Sequence, residues 1–298
     1  MNRSQTRMNH KQFVNRIKAE MLNMSSTLLE GGRQWIFPQL CIVCGRLRTD
    51  TTQNRDLQGM CCPICESKGF DLAGALDRVL PEGLQSIQAA FPFVRDGPLQ
   101  EMVHALKYQS RPDVGEQLGR MTAIHRMDLW MNECTYSASQ CLLIPVPIHW
   151  RRRVGRGYNQ SEAIARGIHT VFPDMTILPR GVFVRWRSTR TQTKYSEQKR
   201  AKNIRGAFKV NERTRTQIQK QTRSQTRTHA RTQTREEVQT VLADRPVWIL
   251  VDDVFTSGAT IFECARVLHR WITRDVSTST HCKPEIHAWV VGNAEDGS

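Results

Sequence analysis

The chain has 298 residues, 39% hydrophobic and 24% charged, with 43 Lys and Arg against 28 Asp and Glu for a formal net charge of +15. That length implies one large or two unequal domains, and the positive balance attracts phosphates without choosing among a metabolite, a nucleic acid and a membrane surface. No run of about 18 apolar residues is present to span a bilayer, and residues 1–30 mix Arg, Lys and Asn with single apolar residues where a secretory signal carries an apolar core, so a cytoplasmic protein without membrane insertion is expected.

Phe13, Ile17, Met21, Met24 and Leu28 recur at helical spacing and predict a short amphipathic helix over 11–29, within an N-terminal extension of residues 1–34. Residues 35–72 are short on periodicity and cysteine-rich. From about residue 85 onward, strands alternate with helices. Strands are expected at Ile87–Val94, Cys141–Val146, Val182–Arg185, Val247–Val251 and Ile286–Val291, and helices at Leu99–Tyr108, Val114–Trp130, Ser161–Ile168 and Ala259–Ile272. This alternation predicts an α/β domain over 85–298 with a mostly parallel sheet and flanking helices. Val247–Val251 is apolar at every position, as strands covered on both faces are.

One segment breaks the order. Residues 211–240 are dominated by Thr, Arg and Gln, and Arg213 to Arg235 holds six Arg and a Lys with no acid. Thr-Arg-Thr-Gln occurs at 189–192 and 214–217, and Ser-Gln-Thr-Arg at 4–7 and 224–227. Such low complexity cannot bury enough apolar surface to order itself, and it reads as a surface insertion at about 211–244.

Nine cysteines in a chain without an export signal are expected as metal ligands or buried thiols, since a reducing compartment disfavours disulfides. Cys41-Ile-Val-Cys44 and Cys62-Pro-Ile-Cys65 form two C-x2-C knuckles separated by 17 residues. A two-residue gap lets both thiolates reach one ion, and two knuckles complete a tetrahedral structural Zn²⁺ site. Cys61 is an alternative to Cys62, with a gap of three to Cys65. Cys134, Cys141, Cys264 and Cys282 lie on or beside apolar segments and are expected as core thiols.

The most informative string is Val247–Val251 running into Asp252-Asp253-Val254-Phe255-Thr256-Ser257-Gly258-Ala259-Thr260 and then a helix. A strand, a Gly/Ser/Thr turn and a helix N-terminus make an anion site, because the first backbone N–H groups of a helix lack partners and its dipole favours negative charge. Ser257, Gly258 and Ala259 allow close approach of a phosphate, while Thr256 and Thr260 add hydroxyl donors. Asp252 and Asp253 suit the hydroxyls of a ribose, or Mg²⁺ directly or through water. Arg151, Arg152, Arg153 and Arg156 fall after a strand, expected as a loop with no acid nearby, and their forks pair with phosphate.

The loop DDVFTSGAT resembles the signature loop of type I phosphoribosyltransferases, which bind 5-phosphoribosyl 1-diphosphate (PRPP). Ile144-Pro-Val-Pro147, Arg156-Gly-Tyr-Asn-Gln160, Thr189, Gln192, Ser196, Arg200, Asn203, Ala207-Phe208, His104-Ala-Leu-Lys-Tyr108, Gly115 and Leu118-Gly119 narrow the resemblance. With the four-cysteine module in front, the order resembles the ComF family (ComFC/GntX-like) over about residues 35–291, the insertion excluded. The resemblance implies a type I phosphoribosyltransferase-like fold, a diphosphate held at Arg151–Arg156, and, for some members, an association with DNA uptake and competence-machinery proteins. The insertion follows the segment where this fold usually carries its mobile catalytic loop.

Three functions stay open at this level: transfer of a phosphoribosyl group to an unidentified acceptor, PRPP or nucleotide binding by a regulatory module without chemistry, and handling of single-stranded DNA. Aromatic residues are only 7% of the chain and absent from the Arg-rich insertion, which weighs against the last, since single-strand grooves stack bases on aromatics. No side chain stands out as a general base.

Overall fold

A computed structural model describes residues 40–46, 60–66, 73, 75–133, 136–189, 197–211, 246–273 and 284–294. The helix expected over 11–29, the Thr/Arg/Gln segment, Gln192, Ser196, Cys134 and Cys282 lie outside the described residues.

Seven strands and seven α-helices follow one another in the described chain: α1 (Pro63–Glu66), β1 (Leu84–Pro92), α2 (Pro98–Tyr108), α3 (Pro112–Glu133), β2 (Cys141–Pro145), α4 (Trp150–Arg156), α5 (Gln160–Val171), β3 (Thr176–Ile177), β4 (Phe183–Arg185), α6 (Glu197–Ile204), β5 (Phe208–Val210), β6 (Val247–Phe255), α7 (Ala259–Trp271) and β7 (Glu285–Asn293). Five strands form one sheet in the order β1-β7-β6-β2-β3, all parallel. Strands β4 and β5 pair antiparallel as a separate two-stranded sheet. The α/β class with a mostly parallel sheet is thus as the alternating pattern predicts.

The apolar run of β6 is explained by its central place. Val247, Ile249 and Val251 point into one core, with α2, α3 and α5; Trp248 and Leu250 point into the other, with α7 and the β4–β5 pair. Each such fully buried aliphatic side chain contributes about 1.5–3 kcal/mol. On the first face, α3 and α5 cross closely enough that a Cβ on Gly119 would fall on the Ile164 carbonyl, and one on Gly167 on the Glu116 carbonyl. The Leu118-Gly119 motif is therefore a packing requirement.

The route of the chain fixes where a crevice can open. The connection from β2 through α5 covers one face and runs outward to β3, whereas that from β6 through α7 covers the other and runs toward β7. Right-handed crossovers on opposite faces must diverge, so a switch point lies between β2 and β6, at their carboxyl ends. The segment following β2 and the loop following β6 face each other there. At the far edge, Ala73 and residues 75–80 shield β1: Ala75 bridges Gln88 antiparallel, Ala73 N–H donates to Ala90 O, and Arg126 donates to Ala73 O.

Candidate functional site

β6 continues through both aspartates to Phe255, four residues further than its apolar run predicts. Asp252 and Asp253 therefore sit on a rigid strand. Asp252 Oδ1 accepts from Ser161 Oγ at 2.9 Å, from the second residue of α5, and from the backbone N–H of Asp253 at 2.9 Å. Burial, with the neighbouring Asp253 charge, raises the Asp252 carboxyl to about 7, against the lowering effects of the Asp253 N–H, Ser161 and Lys107. Asp253, with 13% of its side chain exposed, pairs through Oδ2 with Lys107 Nζ at 3.0 Å. Lys107 is on α2, so three elements meet at the acid pair.

Beyond it, Thr256 is exposed, Ser257 and Thr260 are half-buried, and α7 begins after Gly258. Gly258 is left-handed (φ 70°) and provides no side-chain cap. A Cβ there would lie 2.7 Å from the Phe262 ring and 2.8 Å from that of Phe255, so this glycine is required by ring packing as well as by its backbone angle. The result is a helix N-terminus without a side-chain cap at the switch point, next to two carboxylates and a lysine.

The arginines depart from expectation in two ways. They lie on helix α4, not on a loop: His149 Nδ1 caps it by accepting from Arg151 N–H, and Gly157 (φ 81°) ends it. They also have an acid neighbour, since Arg153 Nη1 lies 3.4 Å from Glu162 Oε1. The helix splits their roles. Arg156 stacks over Tyr108 at 5.6 Å and Arg151 over Trp150 at 5.4 Å. Burial and the Arg156 charge lower the Arg152 pKa. Burial and the charge of Arg152 likewise lower that of Arg185 on β4, which Asp252 partly offsets. Arg152, Arg185 and Asp252 thus share one electrostatic neighbourhood.

Lys107, Ser161 and Arg185 carry site contacts that loop-by-loop reading of the sequence did not assign. The His104–Tyr108 word was the one signal for Lys107. Tyr158, in the Arg156–Gln160 word, donates to the Leu106 carbonyl and ties the end of α4 to α2. Asn159 donates to Val146 O at 3.0 Å and caps α5 through Ser161 N.

The two knuckles meet as their spacing predicts. The thiols of Cys41, Cys44, Cys62 and Cys65 all lie within 4.8 Å of one another, with Cys44 and Cys62 Sγ 3.7 Å apart. A tetrahedral Zn²⁺ with bonds of ~2.3 Å separates its sulfurs by about 3.8 Å, so the set fits a structural zinc. Ile42 N–H donates to Met60 O and Cys62 N–H to Cys41 Sγ at 3.2 Å. Burial opposes ionisation of Cys41, but the backbone N–H groups of Cys44, Cys62 and Val43 overcome it and hold this thiol down to about 6. Burial and the surrounding thiols push Cys65 up. Cys61 faces elsewhere, its Sγ 3.9 Å from Met102 Sδ on α2, which excludes the alternative pairing. Cys141 and Cys264 are fully buried, as core thiols.

A mostly parallel sheet with flanking helices, an acidic strand end and a helix N-terminus without a side-chain cap at its switch point define an α/β protein, preceded by a four-thiol site suited to zinc. No protein-family model matches the chain. The chain is 26% identical over 242 residues to DNA utilization protein YhgH of Shigella flexneri, covering 78% of this chain and 84% of that protein. It is 25% identical over the same length and coverage to the protein of that name from Escherichia coli K12, and 26% identical over 181 residues to that of Salmonella typhi, covering 58% and 62%. Among the described residues no helix is long and apolar enough to cross a membrane.

Proposed function

We propose that the crevice between β2 and β6 binds PRPP, or another ribose 5-phosphate ester, and that the protein transfers the phosphoribosyl group to an acceptor. The observation that carries the reading is the Asp252–Asp253 pair on a rigid strand end, with Asp253 salt-bridged to Lys107, followed at once by the N-terminus of α7, which has no side-chain cap. In this reading the 5-phosphate sits on Thr256–Thr260, with backbone N–H groups and hydroxyls as donors, and the ribose hydroxyls donate to Asp252 and Asp253. Arg152 and Arg156 meet the diphosphate. Asp252 and Asp253 are the residues that would hold Mg²⁺, directly or through water, and the ion would neutralise charge on the diphosphate. The protein's contribution is positioning and stabilisation of charge on the leaving group.

The test titrates PRPP, ribose 5-phosphate and diphosphate against wild type, Asp253→Asn and Arg156→Ala by calorimetry. Loss of one charged hydrogen-bond partner costs about 1.5–3 kcal/mol, roughly tenfold to a hundredfold in affinity. Asp253→Asn should weaken both ribose ligands by that factor. Arg156→Ala should weaken PRPP and diphosphate and spare ribose 5-phosphate. Wild type that binds PRPP no better than sulfate refutes the reading; tight binding without diphosphate release for any nucleophile favours a regulatory module.

A second reading, DNA handling, has its own observation. Three exposed aromatics each carry a cation on their face: Tyr108 (69% exposed) under Arg156, Trp150 (61%) under Arg151, and Trp186 (55%) under Lys209 at 5.5 Å. Bases stack on such platforms at about 1–3 kcal/mol each. The aromatics are few, as the composition says, but they are concentrated around α4. Relatives named DNA utilization proteins make single-stranded DNA, or a protein of a DNA-uptake machinery, a fitting partner. Trp150→Ala with Trp186→Ala should then weaken binding of a labelled oligonucleotide and leave PRPP binding unchanged.

A further inference from the structure

The helix that carries Lys107 aims it at the acid pair. α2 is held by its buried Leu99, Met102, Val103, Ala105 and Leu106, and the Tyr158 hydroxyl donates to the Leu106 carbonyl near its end. Lys107 follows in the last turn, where the helix dipole favours a cation. Its Nζ lies 3.0 Å from Asp253 Oδ2, with 27% of the lysine side chain and 13% of the aspartate side chain exposed.

The carboxylate oxygens of the pair are not equally open. Asp252 Oδ1 accepts from Ser161 Oγ and from the Asp253 N–H, both at 2.9 Å. Asp253 Oδ1 accepts from the Val254 N–H at 2.7 Å. Asp252 Oδ2 and Asp253 Oδ2 remain for a cation, and Lys107 holds the second. Mg²⁺ demands near-octahedral oxygens at about 2.0–2.1 Å and sheds its water reluctantly. Asp253 Oδ2 cannot serve such an ion while an ammonium sits on it, because the two cations repel at that range. A lysine on its flexible stem, by contrast, can leave one oxygen for another.

We infer that Lys107 stands in for a divalent cation in the ligand-free crevice, so that Asp252 and Asp253 take up such an ion only together with a diphosphate-bearing ligand. The identity of that ligand rests on the phosphoribosyl reading above; the exclusion of the ion does not. When the ligand enters, the Lys107 ammonium moves from Asp253 Oδ2 to an oxygen of the diphosphate, and the freed carboxylate meets the ion that the ligand carries. The exchange makes and breaks no covalent bond. Ribose 5-phosphate, which has no diphosphate, leaves Lys107 in place and needs no divalent ion. Lys107 is thus a positioning residue that acts through Asp253 and sets which ligands depend on metal.

The experiment titrates Mn²⁺, as a spectroscopic substitute for Mg²⁺, into the full-length, zinc-loaded protein and reads the bound ion by electron paramagnetic resonance. Lys107→Gln should bind Mn²⁺ roughly tenfold or more tightly than wild type, and Lys107→Arg, which keeps the charge, should bind it no better than wild type. Adding Asp253→Asn to Lys107→Gln should abolish the gain, which locates the ion at the acid pair. Calorimetry gives a second readout: wild type should bind ribose 5-phosphate equally in Mg²⁺ and in chelator, whereas Lys107→Gln should bind it more weakly in chelator and recover in Mg²⁺. Should the glutamine variant melt early, wild type decides, since it must bind Mn²⁺ no better than Asp253→Asn does. Equal Mn²⁺ affinity in wild type and Lys107→Gln, or tighter Mn²⁺ binding by wild type than by Asp253→Asn, overturns the inference even where PRPP binds. A gain of Mn²⁺ in Lys107→Gln alongside wild type that binds PRPP no better than sulfate leaves the role of Lys107 standing, and the phosphoribosyl reading falls.

Discussion

Asp252 gives the sharpest handle on the crevice, because its carboxyl titrates near neutrality. Burial, then the adjacent Asp253 charge, holds it at about 7, while Ser161 and Lys107 pull it down. If only the carboxylate accepts a ribose hydroxyl, the competent fraction is about one in eleven at pH 6 and ten in eleven at pH 8. Apparent affinity scales with that fraction, so ribose 5-phosphate should bind about tenfold more tightly at pH 8 than at pH 6. The ligand's own phosphate also ionises near pH 6, so the assay is the ratio of ribose 5-phosphate to methyl phosphate affinity at each pH. Asp252→Asn should flatten that ratio. Ser161→Ala, which removes a donor to the carboxylate, should move the midpoint upward.

Stability should show the opposite sign. A carboxyl whose folded pKa lies above its unfolded value contributes most below about pH 4, and that contribution is lost as pH rises through about 7. Asp252→Asn should therefore raise the melting temperature of the ligand-free protein more at pH 8 than at pH 5. A wild-type affinity ratio that is flat from pH 6 to 8, or one whose slope survives in Asp252→Asn, would refute the assignment of the ribose to this carboxyl.

Three further outcomes are expected. Purified protein should hold about one Zn²⁺ per chain, and Cys44→Ser should release it while far-ultraviolet circular dichroism still reports the α/β sheet; metal analysis that finds no zinc refutes the thiol site. His149→Ala removes the cap of α4 and should cost about 0.5–2 kcal/mol in denaturant unfolding. Burial, then the charges of Arg151 and Arg185, depress His149, so its contribution is complete above about pH 6.5 and is lost as pH falls toward its lower folded pKa, a loss that His149→Ala should abolish. Gly258→Ala should lower the melting temperature even without ligand, because its Cβ meets the Phe255 and Phe262 rings; a variant as stable as wild type would contradict that packing.

The sequence makes the central strand and its loop legible because the reasons are local. An unbroken apolar run, two acids, and a Gly/Ser turn before a periodic helix leave few alternatives. Helix α4 was hidden for a physical reason. It is seven residues long, its apolar residues Trp150 and Val154 are exposed, and it is bounded by a histidine cap and a left-handed glycine, so no apolar stripe announces it. β3 and β5, of two and three residues, are too short to show a period. Cysteine spacing identifies the four thiols but not what they rest on.

That resting place is α2, and it joins two features that look separate in sequence. The buried thiols of Cys41, Cys61, Cys62 and Cys65 share a core with Met102, Val103 and Leu106. The same helix ends by presenting Lys107 to Asp253 and Tyr108 to Arg156. Helical geometry explains the division: Met102 and Leu106 are four apart and lie on one face, whereas Lys107 and Tyr108 turn toward the crevice. The cysteine module thus packs on the same helix that carries Lys107 to Asp253, within one core shared with the α/β sheet.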